Sequence, residues 1–455
     1  MSTRQPDRPK PASTTPAAKA TKPASTTSAT TAPATTAPAT PATPGCVEHG
    51  IWTPLPSAPP ATLGQFTLRL REVHPREHER IKQAGAMSFH LMGCAGDFAD
   101  HAPQVAVARA MAEQVRDPGA PGGAKRAARK VSFLYHLGDV VYKDEVKTDA
   151  QGNDQREMYN AQFYAPYTSY GRQIFAIAGN HDGKVAGNAA TSAVEHFMAN
   201  FCARSTLRSP DNTTDERGAM IQPYPYWRLT TPLAYIIGIY TNIANGGMLD
   251  DPAHPDQRPQ YDWLVAQLKD IRRRNARRSA RKAVLLALHY PPYSGTSNFA
   301  QRGDPTLGPS NASHALPLGE VLQQAFVASG QRPDAVFSAH AHLYQRLTHR
   351  YGDGWEVPYL VVGSGGHGPV ESMWKQCDHT EGTAKQTPFN AMLPPGHTLP
   401  ADQRVRVVAF DDQSFGFLRV SIAGHKLTGE FFAVSPGPMA LADTFTLDLE
   451  RHRVV

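Results

Sequence analysis

The sequence predicts an α/β fold, and three observations carry that prediction. From about residue 64 onward, short apolar runs alternate with amphipathic helical patterns; many of the runs end directly in Gly, His or Asp; and residues 1–45 show neither feature. Brief apolar runs are the mark of buried strands, and strands alternating with helices imply a sheet with helices packed on it.

Residues 1–45 are almost wholly Thr, Ala, Pro and Ser with a few Lys and Arg, and include no aromatic side chain. Such a stretch cannot bury enough apolar surface to offset its chain entropy, which predicts a disordered tail. It lacks the continuous apolar segment of a secretory signal, and no later run is long enough to span a bilayer, so a soluble cytoplasmic protein with no membrane partner is expected. Arg4, Arg8, Lys10, Lys19 and Lys22 against Asp7 account for most of the formal charge of +6. The remainder is close to neutral, and charge gives no argument for nucleic acid as a partner.

Beyond the tail, strands are predicted over 88–92, 131–136, 174–178, 233–240, 283–289, 335–338 and 357–362. Helices are predicted over 105–116, 195–202, 260–274 and 318–329. In 260–274, Leu264, Leu268 and Ile271 recur at the spacing of one buried helical face. Residues 415–421 and 427–433 read as an antiparallel pair turned at Gly424. The stretches 209–218, 294–315 and 375–403, rich in Pro, Gly, Asn and Asp, read as substrate-side loops.

Chemistry-bearing residues gather just after predicted strands. They are Gly138-Asp139-Val140-Val141-Tyr142, Gly179-Asn180-His181-Asp182, His289-Tyr290-Pro291-Pro292-Tyr293, Ala339-His340-Ala341-His342, and Gly93-Cys94-Ala95-Gly96-Asp97. Open α/β sheets bind ligands outside the carboxyl ends of their strands. A carboxylate, an amide oxygen and three imidazoles form a mixed oxygen and nitrogen set suited to Mn, Fe or Zn. A lone Gly-Asn-His-Asp is as readily a turn. His340 and His342, leaving a strand at i and i+2, can aim both rings to one side, and the joint occurrence at strand ends is what points to a metal site.

The series Gly-Asp-x-x-Tyr, Gly-Asn-His-Asp, His-Tyr-Pro-Pro-Tyr and His-x-His-x-Tyr-x-Arg resembles the motifs of the calcineurin-like metallophosphoesterases, and the Tyr142 variant is similar to their purple acid phosphatase branch. Over residues 64–450 the resemblance implies two packed β-sheets flanked by helices, an α/β/β/α sandwich. It further implies two metal ions, Fe, Mn or Zn, bridged by Asp139. Asn180, His289 and His340 would complete one ion, and Tyr142 and His342 the other. A hydroxide between the ions would attack phosphorus. His181 would stabilise the developing charge or protonate the leaving group, with Asp182 orienting its ring. A small-molecule phosphate ester, monoester in preference, is the implied substrate.

The first motif departs from the family pattern. Where the family has Gly-Asp-x-Gly, this chain has Gly93-Cys94-Ala95-Gly96, and a thiolate binds Zn or Fe at about 2.3 Å. A second register, Gly96-Asp97-Phe98-Ala99, restores an aspartate. Cys94 as ligand, Asp97 as ligand, or a lost first metal are the three alternatives. The last would make the chain a degenerate, non-catalytic binding or scaffold protein. Ala339 also replaces a family Gly.

Diester or nucleotide cleavage stays open beside the monoester reading, and a nuclease rests only on the basic run Arg272-Arg273-Arg274, Arg277-Arg278, Arg281-Lys282. That run closes a predicted helix, where cations complement the helix dipole. Gly363-Ser364-Gly365-Gly366-His367-Gly368 lacks the Lys and following helix of a P-loop and reads as a tight turn, with His367 on the substrate side. Cys46, Cys94, Cys202 and Cys377 are too scattered for a disulfide framework, and oligomeric state leaves no mark in the sequence.

Overall fold

In the computed structural model the apolar runs pair as strands of two mixed sheets. The structure describes residues 63–97, 100–117, 130–142, 158–183, 194–203, 209, 211–212, 217–242, 247, 249, 258–295, 318–373, 389–390 and 402–455. The expected tail at 1–45, most of the loops at 294–315 and 375–403, Cys46 and Cys377 lie outside the described residues.

The chain runs from β1 (Leu63–Arg69) through α1 (Leu70–Val73) and α2 (Pro75–Ala84) into β2 (Ala86–Met92). Then come α3 (Ala102–Arg116), β3 (Val131–His136), a π turn (Asn160–Tyr164), β4 (Gln173–Ala176), the single turn α4 (Asn180–Gly183) and α5 (Glu195–Phe201). The second half begins with β5 (Trp227–Thr230), β6 (Ala234–Gly238), α6 (Pro259–Ala276), β7 (Ala283–Ala287), α7 (Leu318–Ser329) and β8 (Ala335–Ser338). It continues with β9 (Tyr344–Arg350), β10 (Glu356–Val362), β11 (Phe389–Asn390), β12 (Arg404–Asp411), β13 (Phe415–Ala423), β14 (Lys426–Ser435), β15 (Ala440–Asp448) and β16 (Arg453–Val454).

One sheet has the order β1-β5-β6-β7-β8-β10-β9-β12-β11, the other β16-β15-β14-β13-β2-β3-β4. Each contains a parallel block, β6-β7-β8-β10 in the first and β2-β3-β4 in the second. Parallel strands need both faces covered, and β2, β3, β6, β7 and β8 are buried along their whole length. Aromatic rings join the sheets: Trp227 of β5 stacks on Tyr135 of β3 at 5.9 Å, and Tyr344 of β9 stacks on Phe431 of β14 at 4.0 Å.

Helices cover the outer faces. α6 buries Leu264, Leu268 and Ile271 as the periodicity predicts and packs on α7 and β1, while α3 packs on β13 and β14. The basic run closes α6, and Arg273, Arg274 and Arg281 within it pair with carboxylates. Asp270 accepts from Arg274 at 2.7 Å and Arg228 at 3.0 Å, and both guanidinium amines of Arg281 reach Asp334 at 2.9 Å. The antiparallel pair expected at Gly424 forms as β13 and β14, with Gly424 at φ +58°. Among the described residues, no helix is long and apolar enough to cross a membrane.

Candidate metal centre

The two parallel blocks aim their carboxyl ends at one place. β2 delivers Cys94, β3 delivers Asp139 and Tyr142, and β4 delivers Asn180, His181 and Asp182. From the other sheet, β7 delivers His289 and β8 delivers His340 and His342. Glycine makes the convergence possible. A Cβ on Gly138, at φ +92°, would lie 2.6 Å from the Gly179 nitrogen and 2.7 Å from His289 Nδ1; one on Gly179 would overlap the Asp139 carboxylate. The 138–139 and 179 segments therefore touch backbone to backbone, with the His289 ring packed against both.

Cys94, Asp139 and His340 share a left-handed backbone, with φ of +54°, +52° and +65°. That conformation costs a non-glycine residue roughly 1–2 kcal/mol, so the surrounding structure must hold it. Cys94 N–H donates to Gly138 O at 3.0 Å, Ala95 N–H to Asp139 O at 3.2 Å, and His181 N–H to Asp139 Oδ1 at 2.9 Å.

Around Asp139 the lone pairs converge. His289 Nδ1 donates to the Leu137 carbonyl at 2.8 Å, which leaves Nε2 facing Asn180 Oδ1 at 3.0 Å and Asp139 Oδ2 at 3.3 Å. His340 Nδ1 lies 3.0 Å from the same Asn180 oxygen and 3.3 Å from His289 Nε2. Asp139 is 1% exposed, yet its Oδ2 has no hydrogen-bond partner among the described residues. Acceptors packed against acceptors repel unless positive charge lies between them. Burial pushes the His289 imidazole down, but the Asp139 carboxylate outweighs burial and raises it. Burial likewise pushes Asp139 up, and the His289 and His181 imidazoles overcome it and hold the carboxyl well below its usual range. A cation here would satisfy the facing lone pairs of Asp139, Asn180, His289 and His340, so the donor set fits a metal ion. Cys94, Asp139 and His289 each offer a ligand atom within 4.8 Å of the others.

Tyr142 and His342 form the adjoining half, with the phenol oxygen 3.2 Å from His342 Nε2. The Tyr142 ring lies 4.2 Å from that of His181 and stacks on His367 at 3.3 Å and 5°. Burial keeps His342 neutral, its pKa pushed down to about 4.

The two candidates at the first motif separate. Cys94 is fully buried in the cluster, where its sulfur accepts the His340 N–H at 3.1 Å. Asp97 turns instead to the loop after β10: it accepts from Gly368 N–H at 3.0 Å and stands 3.2 Å from His367 Nδ1. The expected partnership of Asp182 with the His181 ring needs correction. Neighbouring residues on a helical turn do not face each other, and the Asp182 carboxylate accepts from Gly179 N–H at 2.8 Å, Val140 N–H at 3.1 Å and Val141 N–H at 3.3 Å. It ties the Asp139 loop to the Asn180 turn.

Sequence reasoning missed Gln162. Its side-chain amide pairs with both backbone groups of Tyr142, at 2.8 and 2.9 Å, and so sets the height of the phenol. A solitary glutamine carries no motif; only its complete burial in the π turn reveals the role.

The sequence model described as calcineurin-like phosphoesterase matches residues 93–344, a span that opens one residue before Cys94 and closes two after His342. No curated protein matches the chain. Among solved structures, one titled as GAP50, the anchor in the inner membrane complex of Plasmodium, shares 13% identity over 80% of this chain and 89% of its own, with a TM-score of 0.45. PhoD shares 14% over 81% and 71%, also at 0.45. An uncharacterized protein from Streptococcus pneumoniae, titled as a predicted phosphoesterase, shares 11% over 79% and 98%, at 0.25.

Proposed function

The chain belongs to the calcineurin-like phosphoesterase family, metal-dependent hydrolases of phosphoric esters, and we propose that it cleaves small-molecule phosphomonoesters at a dinuclear metal centre. In this reading Asp139 would be shared between the ions, Asn180, His289 and His340 would hold one, and Tyr142 and His342 would hold the other with a donor from the 93–97 turn. The observation that carries it is the Asp139 Oδ2 atom, buried 3.3 Å from His289 Nε2 and with no hydrogen-bond partner among the described residues.

Bound metal ions supply Lewis acidity toward phosphate oxygens and an activated water. The protein's own groups do the rest. The Leu137 carbonyl fixes the His289 tautomer, so that Nε2 is the nitrogen offered to the ion. Asp182 and Gln162 hold the Asp139 and Tyr142 segments in place through backbone hydrogen bonds. His181, half-buried beside the Tyr142 ring, is positioned to deliver a proton to the leaving oxygen. The preference for monoesters rests on Tyr142, the residue that sets this chain's second motif apart.

Hydrolysis of 4-nitrophenyl phosphate and bis(4-nitrophenyl) phosphate, with Mn, Zn and Fe each supplied, tests the reading. The monoester should be cleaved faster, and Asn180→Ala should lose about 100-fold or more in kcat/KM. Faster diester cleavage would overturn the monoester preference; wild type as inactive as Asn180→Ala with every metal would overturn hydrolysis itself.

A further inference from the structure

We infer that Cys94 supplies a thiolate ligand to this centre, and that its sulfur biases the centre toward zinc-class ions over manganese and magnesium. The inference rests on the metal-centre reading above and assigns the one donor left open there.

Four observations support it. The Cys94 sulfur lies within 4.8 Å of ligand atoms on Asp139 and His289, all three residues being buried. Two ligands of a tetrahedral zinc ion stand roughly 3.5 Å apart, so closure by about an ångström would bring the Cys94 sulfur and the shared Asp139 carboxylate onto one ion, leaving His289 to the other. Asp139 Oδ2, in a residue almost wholly buried, has no hydrogen bond among the described residues although it belongs to this cluster. The alternative donor is engaged elsewhere, since Asp97 accepts from the Gly368 and Asp100 N–H groups and pairs with His367. Finally, the His340 N–H donates to the Cys94 sulfur at 3.1 Å, a hydrogen bond that strengthens as negative charge builds there, whereas burial beside the Asp139 carboxylate pushes the metal-free thiol up.

As the sulfur–metal bond forms, the thiol proton leaves to solvent. Thiolate is a soft donor, whereas Mn and Mg prefer carboxylate, carbonyl and water oxygen. Every nitrogen- and oxygen-rich site already favours zinc over manganese, so a bare preference proves nothing. The diagnostic quantity is how far that preference changes when sulfur is exchanged for oxygen.

The full chain is stripped with chelator and loaded with Co(II), which reports sulfur ligation by a thiolate-to-cobalt charge-transfer band in the near ultraviolet. Wild type should show the band, and Cys94→Ser, near in size to cysteine, should bind cobalt without it. In Zn against Mn competition, Cys94→Asp should narrow the preference for zinc by about tenfold or more. Circular dichroism and thermal unfolding confirm that each variant folds; should Cys94→Ser fail to fold, the wild-type spectrum and the Cys94→Asp competition still decide. Cobalt bound in wild type with no thiolate band would overturn the cysteine assignment and leave the metal centre standing. A band with no narrowing in Cys94→Asp would overturn the selectivity. Wild type that binds neither cobalt nor zinc would overturn the metal centre itself.

Discussion

Gly179→Ala tests the packing of the centre with a single methyl group. The added Cβ would overlap the Asp139 carboxylate, sit 2.5 Å from the Asp139 nitrogen and 2.8 Å from His289 Cε1. Ordinary contact requires about 3.4 Å or more, so Asp139 and His289 must retreat by roughly 1 Å. Overpacking of this kind costs about 1–3 kcal/mol of stability. A 1 Å displacement of catalytic groups costs on the order of 100-fold in rate. Metal content after dialysis, thermal unfolding and kcat/KM toward an aryl phosphate are the measurements. Gly171→Ala is the control, because a Cβ there meets nothing within 4 Å. The expected result is loss of metal and activity in Gly179→Ala, with Gly171→Ala close to wild type. Retention of wild-type metal content and kcat/KM by Gly179→Ala would refute the claim that this close approach positions the ligands.

Three further outcomes follow from the same geometry. Asp182→Asn keeps one acceptor oxygen but turns an NH2 toward a backbone N–H, which should lower stability by about 1–3 kcal/mol in urea unfolding. Cys94→Ala should lower the metal content of purified protein more than Asp97→Ala does; the reverse order would reassign the first motif. Lys282 is buried, and burial with the nearby Arg278, Arg228 and Arg274 charges pushes its ammonium down to about 8. The native state then holds fewer protons than the unfolded chain between that value and the ordinary lysine value. The contribution is therefore complete above the unfolded pKa and lost as pH falls through about 8. Denaturant unfolding should accordingly show wild type gaining stability relative to Lys282→Met as pH rises from about 8 to 10, and a flat difference would contradict it.

The sequence speaks most clearly where burial is one-sided or complete. β3, β8 and α7 run as predicted, since Val131–His136 and Ala335–Ser338 are apolar runs bounded by turn residues and Leu318–Ser329 is a bounded helical pattern. Predicted strands at 174–178, 233–240 and 283–289 overrun the observed ends, because Ile177, Ala178, Ile239, Tyr240 and Leu288 continue as buried loop beneath the ligands. β9 was invisible: Tyr344–Arg350 is polar text, and its buried groups are satisfied by Ser294, Asp443 and Gln403, partners that no local pattern announces. The same limit hid the real partners of Asp182, since a carboxylate's choice between a neighbouring ring and backbone N–H groups is made by loop geometry. Asp97 and Cys94 were inseparable by spacing, and only the fold shows that one turns toward His367 and the other toward Asp139.

Cys94, Asp139 and His340 all occupy backbone positions that glycine or asparagine would fill more comfortably. Durability and chemistry therefore pull in opposite directions at three points of one cluster. Directed evolution that rewarded heat resistance alone would be drawn to these codons, and Asp139→Asn would relieve both a left-handed aspartate and a buried charge. Its product would be a sturdier protein with a disarmed centre. If Asp139 holds metal as proposed, these three backbone angles mark positions where the site, and not stability, sets the residue.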